Sequence, residues 1–193
     1  MLMVDKIKKW LELFAAQLHE KKTYLSELDS AIGDGDHGNN MARGADFLLK
    51  SLDQSGDTSA VFKNAAMALL SKVGGASGPL YGSALLALSK KAGETDDRSE
   101  WIAAGAEAIA HRGKSEAGDK TMLDVWLPVQ KALADGTLTH EKIDAFVAET
   151  KSLKAKKGRA SYLGDRSIGH IDPGAQSSGY LFHTFLEAGA DHA

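Results

Sequence analysis

Residues 29–37 read Asp-Ser-Ala-Ile-Gly-Asp-Gly-Asp-His, which places Asp29, Asp34 and Asp36 within eight positions, with Gly33, Gly35 and Gly38 among and after them. No Lys or Arg lies between Glu27 and Asn40 to neutralise them. Three carboxylates this close repel one another unless a cation joins them. Asp and Gly are poor helix formers and favour turns. The glycines permit positive φ, so the backbone can fold tightly enough to aim all three carboxylates at one spot. Clustered hard oxygen ligands are what Mg²⁺ or Ca²⁺ requires. The competing reading is a solvated acidic turn that caps the next helix. A plain cap needs one Asp rather than three, so the spacing favours a divalent-metal site.

His37 and Asn40 follow where the next helix begins. A helix start offers free N–H groups and partial positive charge to an anion. Metal ligands beside such a start suit a metal-bridged polyphosphate, although His37 serves equally well as a simple capping residue. Three more segments have unusual composition: GGASGPLYGS at 74–83, RGKSEAGDKTMLD at 112–124 and GRASYLGDRSIGHIDPGAQSSG at 158–179. In the first, small residues allow close approach to a ligand or to another helix. Ser77 offers a hydroxyl to a phosphate, and Pro79 suits the first position of a helix. In the second, Asp119 is a candidate cap, and Met122 offers an apolar surface for a base or for the core. In the third, Arg159 and Arg166 suit bidentate phosphate recognition. Asp172 either caps a helix at 173–174 or binds a nucleotide group.

Other motifs fail on inspection. GDGDHG at 33–38 fits G-x-G-x-x-G, but no hydrophobic strand precedes it. An EF-hand beginning at Asp34 would need Gly at Asn39 and Glu at Ala45. There is no H-E-x-x-H, no defensible Ser-His-Asp order and no cysteine. No side chain stands out as a covalent nucleophile, so no catalytic residue is assigned. A site of metal, backbone amides and Arg suits phosphoryl transfer, where positioning and charge neutralisation dominate.

These segments need elements to hold them, and the apolar pattern predicts helices. Val4, Ile7, Leu11, Phe14, Ala15 and Leu18 mark one face of a first helix. A second covers 23–32 with Tyr24, Leu25 and Leu28 inward, and Met41, Ala45, Leu48, Leu49 and Leu52 suggest a third. Asp57-Thr58 reads as a cap before Val61, Phe62, Ala65, Ala66, Leu69 and Leu70. Further runs cover 79–92, 98–112, 120–134, 139–157 and 174–189, with Pro128 kinking rather than ending its helix and KSLKAKKGR at 151–159 a solvated face. No stretch alternates with period two. The expectation is an all-α chain of about eight or nine helices whose four unusual loops gather at one rim.

At 193 residues with 43% hydrophobic and 25% charged content, the chain fits one globular domain over 1–193. The absence of Cys excludes thiolate catalysis and Cys-ligated zinc, and fits a reducing cytoplasmic location. Nothing approaches the ~20 apolar residues of a membrane span, and the N-terminus lacks a signal-peptide core. A formal net charge of −3 gives no case for nucleic acid.

LSELDSAIGDGDHGNNMARG, SKVGGASGPLYG, RGKSEAGDKTMLDVW and KGRASYLGDRSIGHIDPGA resemble the L subunits of dihydroxyacetone kinases, nearly end to end. That resemblance implies a barrel of about eight antiparallel amphipathic helices with the nucleotide, ADP or ATP, at one rim and its diphosphate on two Mg²⁺ ions. It implies metal ligation by Asp29, Asp34 and Asp36. It implies nucleotide contacts at His37, Gly38, Asn39, Asn40, Ala76, Ser77, Gly113, Met122, Arg159 and the Asp172-Pro173-Gly174 turn. A separate L chain resembles the phosphotransferase-system type. There ADP is a held cofactor that takes a phosphoryl group from a phosphohistidine on an M subunit and passes it to dihydroxyacetone on a K subunit. Two alternatives stay open: a regulatory nucleotide-binding module that docks on a transcriptional regulator, and a subunit of an ATP-dependent kinase for another small ketose.

Overall fold

Alanine and leucine outnumber β-branched residues in this chain, and the backbone follows that bias. The computed structural model describes residues 2–54 and 56–192, and among them the regular structure is entirely helical. The α-helices are α1 (Met3–Glu20), α2 (Lys22–Ile32), α3 (His37–Leu52), α4 (Thr58–Lys72), α5 (Ser77–Ala92), α6 (Arg98–Gly113), α7 (Leu123–Ala134), α8 (His140–Glu149) and α9 (Pro173–Glu187). Two 3₁₀ segments, Thr150–Ser152 and Arg159–Ser167, lie between α8 and α9.

From α2 onward each helix except the last packs on the next in sequence, and α1 packs on both α3 and α9. The core between them is mostly aliphatic, with large aromatic side chains set through it. Trp10, Phe14, Phe62, Trp101, Trp126, Phe182 and Phe185 are all buried. Trp10 meets Phe62 edge-on and donates its indole N–H to the Leu181 carbonyl at 2.7 Å, which ties α1 to α4 and α9. Trp126 meets Phe182 edge-on, at 5.0 Å between centroids, and ties α7 to α9. α7 runs through Pro128, and Asp57 caps α4 by accepting the Ala60 N–H.

Several boundaries differ from the periodicity. α5 begins at Ser77, so Pro79 is its third residue. α7 begins at Leu123 because Lys120 adopts a left-handed φ of 62°, so Asp119 caps nothing there. α8 ends at Glu149, and 151–159 is not a helix face. There the Thr150 hydroxyl folds back onto the Val147 carbonyl, and the carbonyls of Thr150 and Leu153 turn to Lys120 instead of continuing a helix. The 3₁₀ turns of Arg159–Ser167 break at Gly164. Tyr24 is 41% exposed, Leu49 is at the surface and Leu28 is half-buried, since α2 buries only Leu25 and Ile32 fully.

Candidate functional site

The acidic loop is shaped by its glycines and by Asp29. α2 ends at Ile32, and Gly33 closes it by donating its N–H to the Asp29 carbonyl. A Cβ on Gly33 would sit 2.1 Å from a carboxylate oxygen of Asp29, so a side chain there would displace that carboxylate. Gly35 then takes φ +76°. The Asp29 carboxylate accepts the N–H groups of Asp36 at 2.9 Å and His37 at 3.0 Å, and so holds the first turn of α3 from seven residues upstream. Asp36 occupies the N-cap position without using its own side chain for the cap. Its carboxylate is left to join those of Asp34 and Asp29, one oxygen of each lying within 4.8 Å of the others. Burial raises the Asp29 carboxyl above its ordinary value, and Asp34 and Asp36 add to the rise against the two N–H bonds. A divalent cation relieves that repulsion, and an all-oxygen set with room for water suits Mg²⁺. Arg159 meets the cluster from the far side, its Nη2 3.1 Å from Asp34.

Beside the cluster lies a cavity of about 590 Å³, lined by all four unusual segments. Asp29, Asp34, Asp36, His37 and Asn40 reach it from the first, Ala76 and Ser77 from the second, Gly113 and Met122 from the third, and Arg159, Asp172, Pro173 and Gly174 from the fourth. The N-terminal ends of α3, α5, α7 and α9 all meet here, so their positive dipole ends face one space. Asp172 caps α9 through the Ala175 N–H at 2.8 Å. Arg112, Lys120 and Lys157 also line the space and add positive charge. Gly38 and Asn39 do not line it. Asn39 faces solvent, and Gly38 is buried against α2, where a Cβ would lie 1.9 Å from the Lys22 carbonyl. Arg166 is also absent from the lining.

His37 is the cavity residue most firmly fixed. It is buried, with Nδ1 3.0 Å from the Ser77 hydroxyl and Nε2 3.0 Å from the Ser177 hydroxyl. A chain continues from Ser177 to Tyr81 at 2.7 Å, then to Ser178 at 3.0 Å and to the Trp126 indole at 3.1 Å. Its ends set its direction, because an indole N–H only donates and the Gly174 carbonyl, 3.1 Å from Ser177, only accepts. One assignment satisfies every group: Trp126 donates to Ser178, Ser178 to Tyr81, Tyr81 to Ser177 and Ser177 to Gly174. His37 then gives its Nε2–H to Ser177 and takes the Ser77 proton on Nδ1. The hydroxyl that the sequence offered to a phosphate is thereby engaged with His37. Burial lowers the His37 pKa to about 4, so the ring is neutral. Sequence reading missed Tyr81, Ser177 and Ser178; the only signal for the two serines was their adjacency near the start of α9, and Tyr81 had none.

Lys120 was also missed. It is buried, and its ammonium donates to the carbonyls of Thr150 at 2.7 Å, Leu153 at 3.1 Å and His170. Burial lowers its pKa, and Asp172 opposes that fall. The Asp172 carboxyl is pushed up to about 7, mainly by burial, with Lys120 drawing it down and Asp124 and Asp29 raising it. Asp119, expected as a cap, is instead buried beneath Lys156 at 3.4 Å and Lys157 at 4.0 Å.

Comparison with known proteins identifies the family. Residues 31–187 match the DAK2 domain family. The chain is 56% identical to the ADP-binding subunit DhaL of a PTS-dependent dihydroxyacetone kinase from Lactococcus lactis, over 97% of this chain and 98% of that one. It is 55% identical to the ADP-binding subunit DhaL of a PEP-dependent dihydroxyacetone kinase from Listeria innocua, over 93% of each. Its fold superposes, with a TM-score of 0.77 and 24% identity, on the crystal structure of the dihydroxyacetone kinase from C. freundii in complex with AMP-PNP and Mg²⁺, covering 94% of this chain and 33% of that one. The chain belongs to the DAK2 domain family and resembles its DhaL subunits along nearly its whole length.

Proposed function

We propose, from membership of this family, that the chain is the ADP-binding subunit of a phosphoenolpyruvate-dependent dihydroxyacetone kinase and works only with partner subunits. One observation carries the reading: three clustered carboxylates and four helix N-termini converge on a single cavity. Asp29, Asp34 and Asp36 would hold Mg²⁺, two ions in the full reading. The starts of α3, α5 and α9 and Arg159 would hold the phosphates of ADP or ATP, and Gly113 and Met122 would flank the base. When bound, the nucleotide would supply the phosphoryl acceptor and donor between an M subunit and dihydroxyacetone on a K subunit. The chain's own residues bind, orient and neutralise charge. His37 is neutral with both ring nitrogens engaged, which suits a positioning role and not that of a phosphoryl carrier.

The order of packing, α1 with α3 and then each helix to α9 and back to α1, supports a closed barrel of eight helices with α2 outside it. The same ring supports a single domain. No helix among the described residues is long and apolar enough to cross a membrane, in keeping with a cytoplasmic subunit.

Native mass spectrometry of the purified chain before and after EDTA tests the reading. The expected result is a mass excess of ADP plus two Mg²⁺, lost on chelation. A bare protein that binds nucleotide weakly would overturn the held-cofactor role. The chain alone with ATP and dihydroxyacetone should form no product, and robust turnover would overturn the dependence on partners.

A further inference from the structure

We propose that the chain carries a second metal site, for a transition ion of the zinc class, built on His140 and His183 at the end of α8 and α9 remote from the cavity. His140 is the first residue of α8, and His183 lies ten positions beyond Pro173 on α9, about 15 Å along that helix. The two helices run antiparallel: at the cavity end the Thr150 hydroxyl, just past α8, accepts the Asp172 N–H. Gly179 lets them approach, since a Cβ there would lie 2.7 Å from Val147 Cγ2. One turn further along α9, that approach brings the two histidines together.

The rings meet edge to edge. Their planes differ by 5° and their centroids are 5.0 Å apart. The Nδ1–Nδ1 distance is 2.6 Å. The centroid separation is therefore the nitrogen separation plus one ring radius at either end, which leaves no room for stacking. The two Nδ1 atoms aim at each other along one line in a common plane. On the outer side, His183 Nε2 lies 2.9 Å from Asp144 Oδ1. A carboxylate only accepts, so Nε2 carries the proton and His183 Nδ1 presents a lone pair. The proton filling the gap belongs to His140 Nδ1, and His140 is exposed, so that proton can move to Nε2 against water. Two lone pairs then converge on the space the proton left.

Zinc–imidazole bonds of about 2.0–2.1 Å need tetrahedral nitrogens roughly 3.3 Å apart. Tetrahedral ligation requires the pair to open by less than an ångström and the two ring axes to swing off their shared line by about 70° in total, and the exposed His140 side chain, on the first turn of its helix, has the freedom to supply both. Asp144 is the outer carboxylate that fixes the tautomer and orientation of a ligating histidine. Imidazole selects Zn²⁺, Cu²⁺ or Ni²⁺ over Mg²⁺. The molecule thus sorts cations by ligand: carboxylates at the rim and imidazoles at the far end, where two coordination positions stay open to water or to a donor from another chain.

Zn²⁺ titration of the full chain by calorimetry, in excess Mg²⁺ to occupy the carboxylates, tests the site. One equivalent should bind. His183→Asn should abolish that binding, and Asp144→Asn should weaken it about 10- to 100-fold. Asp36→Asn should leave it unchanged. Imidazole ¹⁵N spectra should show His140 pass from the Nδ1–H to the Nε2–H tautomer as Zn²⁺ is added. No binding heat, or binding that survives in a folded His183→Asn variant, would overturn the proposal.

Discussion

The acidic loop at 29–37 and the segment at 150–174 edge the same cavity, yet they are held in opposite ways. The first is local. Asp29 reaches only seven and eight residues ahead, to the N–H groups of Asp36 and His37, and Gly33 makes room for it. The second is held from a distance. The Lys120 ammonium reaches carbonyls 30, 33 and 50 residues away. One region carries excess negative charge and the other is organised around a buried positive one. The difference teaches that a binding site can be half self-folding and half dependent on a single distant side chain.

Removing that side chain gives the largest expected effect. Lys120→Met leaves three carbonyls without their donor and Asp172 without its nearby cation. Buried polar groups left unpaired cost about 1–3 kcal/mol each, and water at the rim recovers part of that. A net loss of about 3 kcal/mol corresponds to a fall in Tm of roughly 6–12 °C in a chain of this size. Hydrogen exchange should rise across 150–174 and stay unchanged in 29–37. Equal loosening of both regions would break the comparison. Asp36→Asn should act on the other side alone. The apo protein should keep its Tm, because one of three repelling charges is gone. The Mg·ADP-dependent rise in Tm, about 2.7 kcal/mol at a hundredfold excess over Kd, should disappear. A variant that keeps its nucleotide through gel filtration would contradict the assignment of the metal to this loop.

Chelation sharpens the contrast further. EDTA should speed hydrogen exchange in residues 29–40, where the carboxylates lose their cation, and leave 150–174 protected by Lys120. Unchanged exchange in the acidic loop would mean that its backbone bonds from Asp29 suffice without metal.

Legibility in the sequence follows the same division. The three aspartates, the glycine punctuation, the Asp57 cap and the faces of α1 and α4 could be read directly, because each depends on residues within a turn or two. The end of α8 could not. Nothing in KSLKAKKGR says that the carbonyls of Thr150 and Leu153 will leave the helix for an ammonium on another segment. The left-handed backbone of Lys120 was equally hidden, since non-glycine residues rarely adopt it and tertiary contacts hold it there. Asn39 and Gly38 sit in the motif yet outside the cavity lining, because a helix start presents only some of its residues to one side. His37 was visible as a candidate, but its hydroxyl partners come from positions 77 and 177, and no spacing rule joins those to 37.

The smallest net effect, that of pH on the unmodified protein, is the most diagnostic, since it sets two buried cavity groups against each other. His37 titrates at about 4 in the fold and near 6.5 when free, so its neutral form stabilises the protein above pH 6.5 and that contribution is lost as pH falls toward 4. Asp172 titrates at about 7 in the fold against 3.8 when free, so its contribution is whole below pH 3.8 and is lost as pH rises through 7. In the apo protein the two slopes oppose between pH 4 and 6.5, and only the Asp172 slope remains above that. Melting in EDTA should therefore be nearly flat across the acid range and decline through pH 7. Asp172→Asn, which retains a capping side chain, should remove the decline and expose a rise from pH 4 to 6.5. His37→Asn should leave the decline alone and extend it to lower pH. If the two variants gave parallel profiles, the opposition would be absent, and a buried neutral histidine beside a half-protonated aspartate would not describe this cavity.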